Sequence, residues 1–222
     1  MNSIILLGIE AALCLIILTI LYKCYKITGL YAYTISALIL SSLMSLKTIT
    51  IYNFDINLGI IPFITIFTAF NIIIQKKGPE ETKNLLLTLI ATSIISYSIL
   101  YLVSIMSPSN INLFTNASYD NIFNNSLRIY FANLVTILYS LLLNTKLYYY
   151  LKKIKNNILI SNLFSNIIIQ FLASILFGLI SYIFISDPID IIKIIMIRYL
   201  ISLIIGILGT IPIYITKYIK EK

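Results

Sequence analysis

Asn71 and Gln75 stand four residues apart in the stretch AFNIIIQKKGPEE (69–81), so on a helix they share one face. Two more such faces follow. Asn133, Thr136, Ser140 and Asn144 recur at intervals of three, four and four, and Asn162, Asn166, Gln170 and Ser174 recur every four, with Ser165 alongside. Thr92, Ser93, Ser96 and Ser98 form a less regular set. All of them interrupt apolar runs. An amide carries donors and an acceptor without charge, so amides facing one another suit a neutral or weakly charged polar solute. The competing use of such residues is as glue between transmembrane helices, at about 1 kcal/mol per contact.

Other chemistry is excluded. The chain has no histidine, which removes a His general base, His-ligated zinc or haem, and a Ser-His-Asp triad. Cys14 and Cys24 form no CxxC pair and read as small hydrophobes in or beside an apolar segment. No P-loop and no GxGxxG is present, so the chain has no ATPase of its own. With no intramembrane acid pair and no nucleophile–base constellation, an enzyme is not expected, nor is any cofactor or metal.

The elements that must position these amides are transmembrane helices. The chain is 59% hydrophobic and 11% charged, against about 25% charged in soluble domains. The expected class is all-α: one polytopic helix bundle over residues 1–222. Seven segments approach the roughly 20 apolar residues that span a bilayer core: 3–22, 29–47, 57–75, 84–106, 126–148, 158–184 and 190–215. Gly206, Gly209 and Pro212 predict a kinked or unwound end to the last.

Charge supports that count over six. With the N-terminus outside, Lys23, Lys26, Lys76, Lys77, Lys83, Lys152, Lys153, Lys155, Lys217, Lys220 and Lys222 all fall inside, whereas Asp55, Asp120, Asp187 and Asp190 fall outside. The net charge of +8 is therefore topological and does not indicate nucleic acid. The first segment reads as a span rather than a signal peptide, because MNS is not basic and Glu10 interrupts the apolar run. An external loop is expected over 107–125, and its Asn116-Ala117-Ser118 sequon is not expected to be used.

Glu10 and Arg198 are the ionisable residues deepest in their segments, each about 10 Å from the outer end. An unpaired charge is costly there, so they are expected to form an ion pair. Lys47 and Arg128 fall near the outer mouth and would make it electropositive, or snorkel to headgroups.

Gly29-Leu30-Tyr31-Ala32-Tyr33 and LMSLKTITIYNF (43–54) resemble the start of the VUT family of bacterial queuosine precursor transporters. The resemblance extends over about residues 29–215, with Lys47, Gly78, Pro108-Ser109, Arg128, Ser140, Ser165, Gln170, Thr210 and Tyr214 at family-like positions. The departures concern charge. Asn71 and Gln75 stand where the family carries an Asp and a Glu, and Asn144, Ala173 and Gly209 where it carries further acids. Ser161 replaces an arginine.

The resemblance implies a multi-pass protein of the bacterial plasma membrane that imports a 7-deazaguanine or queuine. Asn71, Gln75, Ser140, Asn144, Asn162, Ser165 and Gln170, with Lys47 and Arg128, are the expected substrate-binding residues. Amides can pair with a purine edge, as Asn and Gln do with adenine. The alternatives are a substrate-binding subunit served by a separate ATPase module, or a divergent transporter of another ligand. Expected partners are the bilayer and a nucleobase-like solute, with a homo-oligomer left open.

Overall fold

Residues 60–74, IIPFITIFTAFNIII, are apolar on every side of a helix, and such a helix belongs at the centre of a bundle. In the computed structural model they form most of α2 (Ile60–Lys77), buried from Ile60 through Ile74. The structure describes residues 3–52, 54–106, 113–155 and 157–219, with residues 104 and 113–127 described by backbone alone. The remaining elements are α1 (Ser3–Met44), β1 (Thr48–Ile51), β2 (Phe54–Asn57), α3 (Pro79–Ser104), α4 (Leu113–Lys155), α5 (Ile158–Tyr182), α6 (Pro188–Leu208) and α7 (Thr210–Lys217). The protein is an all-α polytopic bundle with one small hairpin.

α1 is two helices meeting at Lys26, whose φ of 54° and ψ of −134° break the helix. The chain folds back so tightly that a Cβ on Gly29 would collide with the Leu21 carbonyl oxygen. That explains the glycine opening GLYAY, and the break falls between the expected spans 3–22 and 29–47. Tyr33 of the same motif donates to Thr65 Oγ1 of α2 at 2.6 Å. Tyr31 donates to Glu81 Oε1 of α3 at 2.9 Å.

The antiparallel pair β1–β2, with Thr48 opposite Asn57 and Ile51 opposite Phe54, was not expected from the sequence. It carries the chain from α1 into α2 at the end of the bundle opposite the lysine-rich turns. Asn57 fixes the junction: its Nδ2 donates to the Ser45 carbonyl at 2.6 Å, and its Oδ1 accepts from the Gly59 N–H at 3.0 Å.

The loop expected over 107–125 is helical from Leu113, because α4 runs unbroken to Lys155. Pro108 and Ser109 lie outside the described residues, as do the side chains of the sequon at 116–118. The break expected near Gly206 and Pro212 is present, with α6 ending at Leu208 and α7 beginning at Thr210.

Polarity is distributed as lipid requires. Ile5, Leu13, Ile16, Ile20, Leu87, Ile94, Ile99, Ile192 and Ile204 are exposed, while Asn71, Asn133, Asn144, Asn162 and Gln170 are buried. Five stretches are long and apolar enough to cross a membrane: Ser3–Met44, Ile60–Lys77, Pro79–Val103, Ile158–Tyr182 and Pro188–Lys217. The first holds both halves of α1. The expected span 126–148 lies within α4, which is not among the five.

Candidate functional site

Four buried amides connect α4, α2, α5 and the α6–α7 break. Asn144 Nδ2 donates to Asn71 Oδ1 at 2.8 Å, and Asn71 Nδ2 donates to Asn162 Oδ1 at 2.8 Å. Asn162 Nδ2 continues the chain to Thr210 Oγ1 at 2.8 Å and to the Gly206 carbonyl at 3.2 Å. Asn166 Nδ2 reaches the same carbonyl at 3.1 Å. The end of α6 frees the Gly206 carbonyl, since a helix leaves its last carbonyls without an internal partner.

Small residues make this approach feasible. A Cβ on Gly206 would stand 2.9 Å from Asn166 Nδ2, and one on Gly209 would collide with Thr68 Oγ1 of α2. Ser165 Oγ donates to the Asn162 carbonyl at 3.1 Å, bracing that residue from behind.

The relay is incompletely satisfied. Asn144 Oδ1, Asn166 Oδ1, Ser140 Oγ, Thr136 Oγ1, Tyr148 OH and both amide atoms of Gln170 are buried without a protein partner. Leaving such groups unpaired costs about 1–3 kcal/mol each. Unpaired polar atoms strung along one bundle interior are therefore expensive as structure alone, and they suit a site that exchanges partners.

One turn further along α2, toward the lysines, a cavity of about 420 Å³ opens, lined by Gln75, Lys152, Asn157, Ile158, Tyr214 and Lys217. Its size falls within the usual range for small-molecule sites. Lys152 Nζ donates to the Gln75 carbonyl at 3.2 Å, leaving Gln75 Oε1 unpartnered. Partial burial holds the Lys152 ammonium below the ordinary lysine pKa. Asn157 caps α5, its Oδ1 accepting from the Leu159 and Ile160 N–H groups at 3.0 and 3.3 Å. Two other cavities, of about 370 and 420 Å³, are apolar grooves along α7.

Asn71, Asn144 and Asn162 are thus joined directly, and Gln75 lies on the adjoining vestibule. Ser140 and Gln170 are buried deeper and do not bond to the relay. Lys47 is exposed beside the β-hairpin, remote from the amides. Arg128 has a different role from the one expected. It donates from Nε to the Ile180 carbonyl at 2.7 Å and from Nη2 to the Ile183 carbonyl, capping the end of α5.

Asn133 joins helices, its Nδ2 donating to Ser41 Oγ of α1, whereas Thr92 and Ser93 bond to carbonyls of their own helix.

The expected Glu10–Arg198 ion pair is not formed. Glu10 Oε1 and both terminal nitrogens of Arg198 lack hydrogen-bond partners. The reason is lateral placement. Arg198 points into the bundle between Phe63 of α2 and Phe177 of α5, whereas Glu10 is on the first half of α1, one turn from Cys14. Depth along a span is readable from sequence; the helix face that meets another helix is not.

The sequence reading also missed Lys152, Asn157 and Lys217 as lining residues. The lysines sit in clusters that topology already explains, and Asn157 is visible only as a cap before the apolar run of α5.

No curated protein and no solved structure matches the chain. The family profile of vitamin uptake transporters matches residues 57–216, and the chain belongs to that family.

Proposed function

We propose that this transporter imports a small polar purine-like metabolite, with a queuosine precursor such as 7-cyano-7-deazaguanine or queuine as cargo. The observation that carries the reading is the amide relay Asn144–Asn71–Asn162 beside a polar vestibule. It offers alternating donors and acceptors, with spare amide atoms, at the meeting point of four helices. A purine edge presents the matching pattern. The relay itself contains no ionised group, which suits a neutral cargo.

The lysine-rich end is taken as cytoplasmic by the positive-inside rule, giving seven spans in a bacterial plasma membrane with the N-terminus outside. The fold-back at Lys26 supports two spans within α1. The interior is read as a carrier's and not an enzyme's, because its convergent groups are amides and hydroxyls suited to binding.

Uptake of labelled 7-cyano-7-deazaguanine and queuine into a bacterial host lacking its own transporter tests the proposal. Accumulation well above the empty-vector level is expected, and an Asn71→Leu variant should abolish it. Uptake of neither compound would sink the assignment. Copurification of the active protein with an ATPase module would convert the carrier into a binding subunit.

A further inference from the structure

Among the described residues, Arg198 is the one Asp, Glu, Lys or Arg side chain that is buried, at 4% exposure. Its guanidinium lies 4.8 Å from the Phe63 ring centroid and 3.8 Å from that of Phe177. Cation–π contact accounts for the faces of the group. It does not account for the edge, where Nη1 and Nη2 have no acceptor. A guanidinium edge is a rigid fork of donors, matched to a carbonyl or carboxylate oxygen.

Arg198 borders a cavity of about 10 Å³ that it shares with Asp55 and Asn57 of β2, Ile60 and Phe177. A volume of that size is at the threshold for one water. Tyr182 completes the cluster beside Asn57, Asp55 and Arg198. Asp55 lies on the rim of this cavity, where its Oδ1 accepts from Thr50 Oγ1 at 2.7 Å across the hairpin, and it does not pair with the guanidinium.

We propose that Arg198 is an outer recognition site for an acceptor oxygen of the solute, a ring carbonyl or a carboxylate, reached when the β1–β2 hairpin lifts from α6. Lifting the hairpin opens the cavity walled by Asp55, Ile56 and Asn57, and the solute then satisfies the fork. The buried face of α5 leads inward from Phe177 through Ser174 and the unpartnered Gln170 to Asn162. At 1.5 Å per residue, the outer site stands about 22 Å from the relay along that face.

The proposal rests on the deazaguanine reading only for its first probe. Wild type, Arg198→Met and Arg198→Lys are compared for thermal unfolding of the purified protein without solute, and for cellular uptake of labelled 7-cyano-7-deazaguanine. Removing an unpaired buried charge should raise the melting temperature of Arg198→Met while cutting uptake at least about 100-fold. Arg198→Lys keeps the charge but loses the fork, so uptake should fall about tenfold.

A lower melting temperature for Arg198→Met would make the residue structural and overturn the proposal, as would unchanged uptake. If the wild type takes up no deazaguanine, the cargo reading fails alone. Thermal shifts with nicotinate, nicotinamide and riboflavin then decide. A saturable shift lost in Arg198→Met supports the outer site; a shift that persists, or none from any compound, overturns it.

Discussion

The two ends of the bundle treat buried polarity in opposite ways. Near the lysine-rich end, Asn144, Asn71, Asn162 and Thr210 bond to one another without any formal charge. Toward the hairpin, Arg198 carries a whole charge whose edge bonds to nothing in the protein. Neutral amides can satisfy one another in lipid at modest cost and separate again, because each exchanged bond contributes about 1 kcal/mol. A lone guanidinium has no such internal solution. The first arrangement is therefore stable when closed, while the second gains by meeting an acceptor.

The largest break in this comparison should come from Asn71→Leu. It removes both bonds at the centre of the relay and leaves Asn144 Nδ2 and Asn162 Oδ1 unpaired. Thermal unfolding in detergent should show a loss of about 2–4 kcal/mol. A loss below about 0.5 kcal/mol would mean that the relay adds little to the fold.

Gly209→Ala should follow at about 1–3 kcal/mol, since its Cβ collides with Thr68 Oγ1 and separates α7 from α2. A companion Thr68→Ala should recover most of that loss, and no recovery would place the strain elsewhere. Arg128→Ala uncaps α5 and should cost about 1 kcal/mol in the same assay, without altering solute affinity. An affinity change would return Arg128 to the binding site.

The smallest effect concerns Lys152. Its pKa lies lower in the folded protein than in the unfolded chain, so burying the ammonium opposes folding at neutral pH. That penalty disappears as pH rises through the lowered folded value, and stability should rise in the window just below the ordinary lysine value of about 10.4. Lys152→Met should flatten the rise in a pH series of melting curves; an identical profile would show that the vestibule hydrates Lys152 fully.

Restoring acids sharpens the contrast instead of breaking it. Asn71→Asp with Gln75→Glu should shift selectivity toward cationic cargo, such as 7-aminomethyl-7-deazaguanine, and make uptake depend on pH. If both properties stay as in the wild type, these two positions are only glue.

Much of this architecture is legible in the sequence because lipid enforces it. The apolar runs, the lysine turns and the four-residue spacing of Asn162, Asn166 and Gln170 each follow from one helix considered alone. The partners do not. Whether Asn133 meets Ser41 or joins Asn71 depends on how α4 is rotated against α1 and α2, which no single segment encodes. The Glu10–Arg198 expectation failed for the same reason. The start of α4 was missed because Asn, Ser and Asp dilute its apolar pattern, and β1–β2 because Thr48–Asn57 is short and adjoins a span.

α7 has eight residues, and hydrogen bonds hold both its ends, neutral ones at its start and charge-assisted ones at its finish. At one end Thr210 and the adjoining Gly206 carbonyl accept from Asn162; at the other, Lys76 Nζ donates to the Lys217 and Ile219 carbonyls at 3.2 and 2.9 Å. Swinging so short a segment breaks a handful of bonds of about 1–3 kcal/mol each and leaves the centre of α2 covered. Moving α2 itself would strip the core. The vestibule thus has one cheap wall and one rigid wall, the mechanical asymmetry of a door hung on a frame.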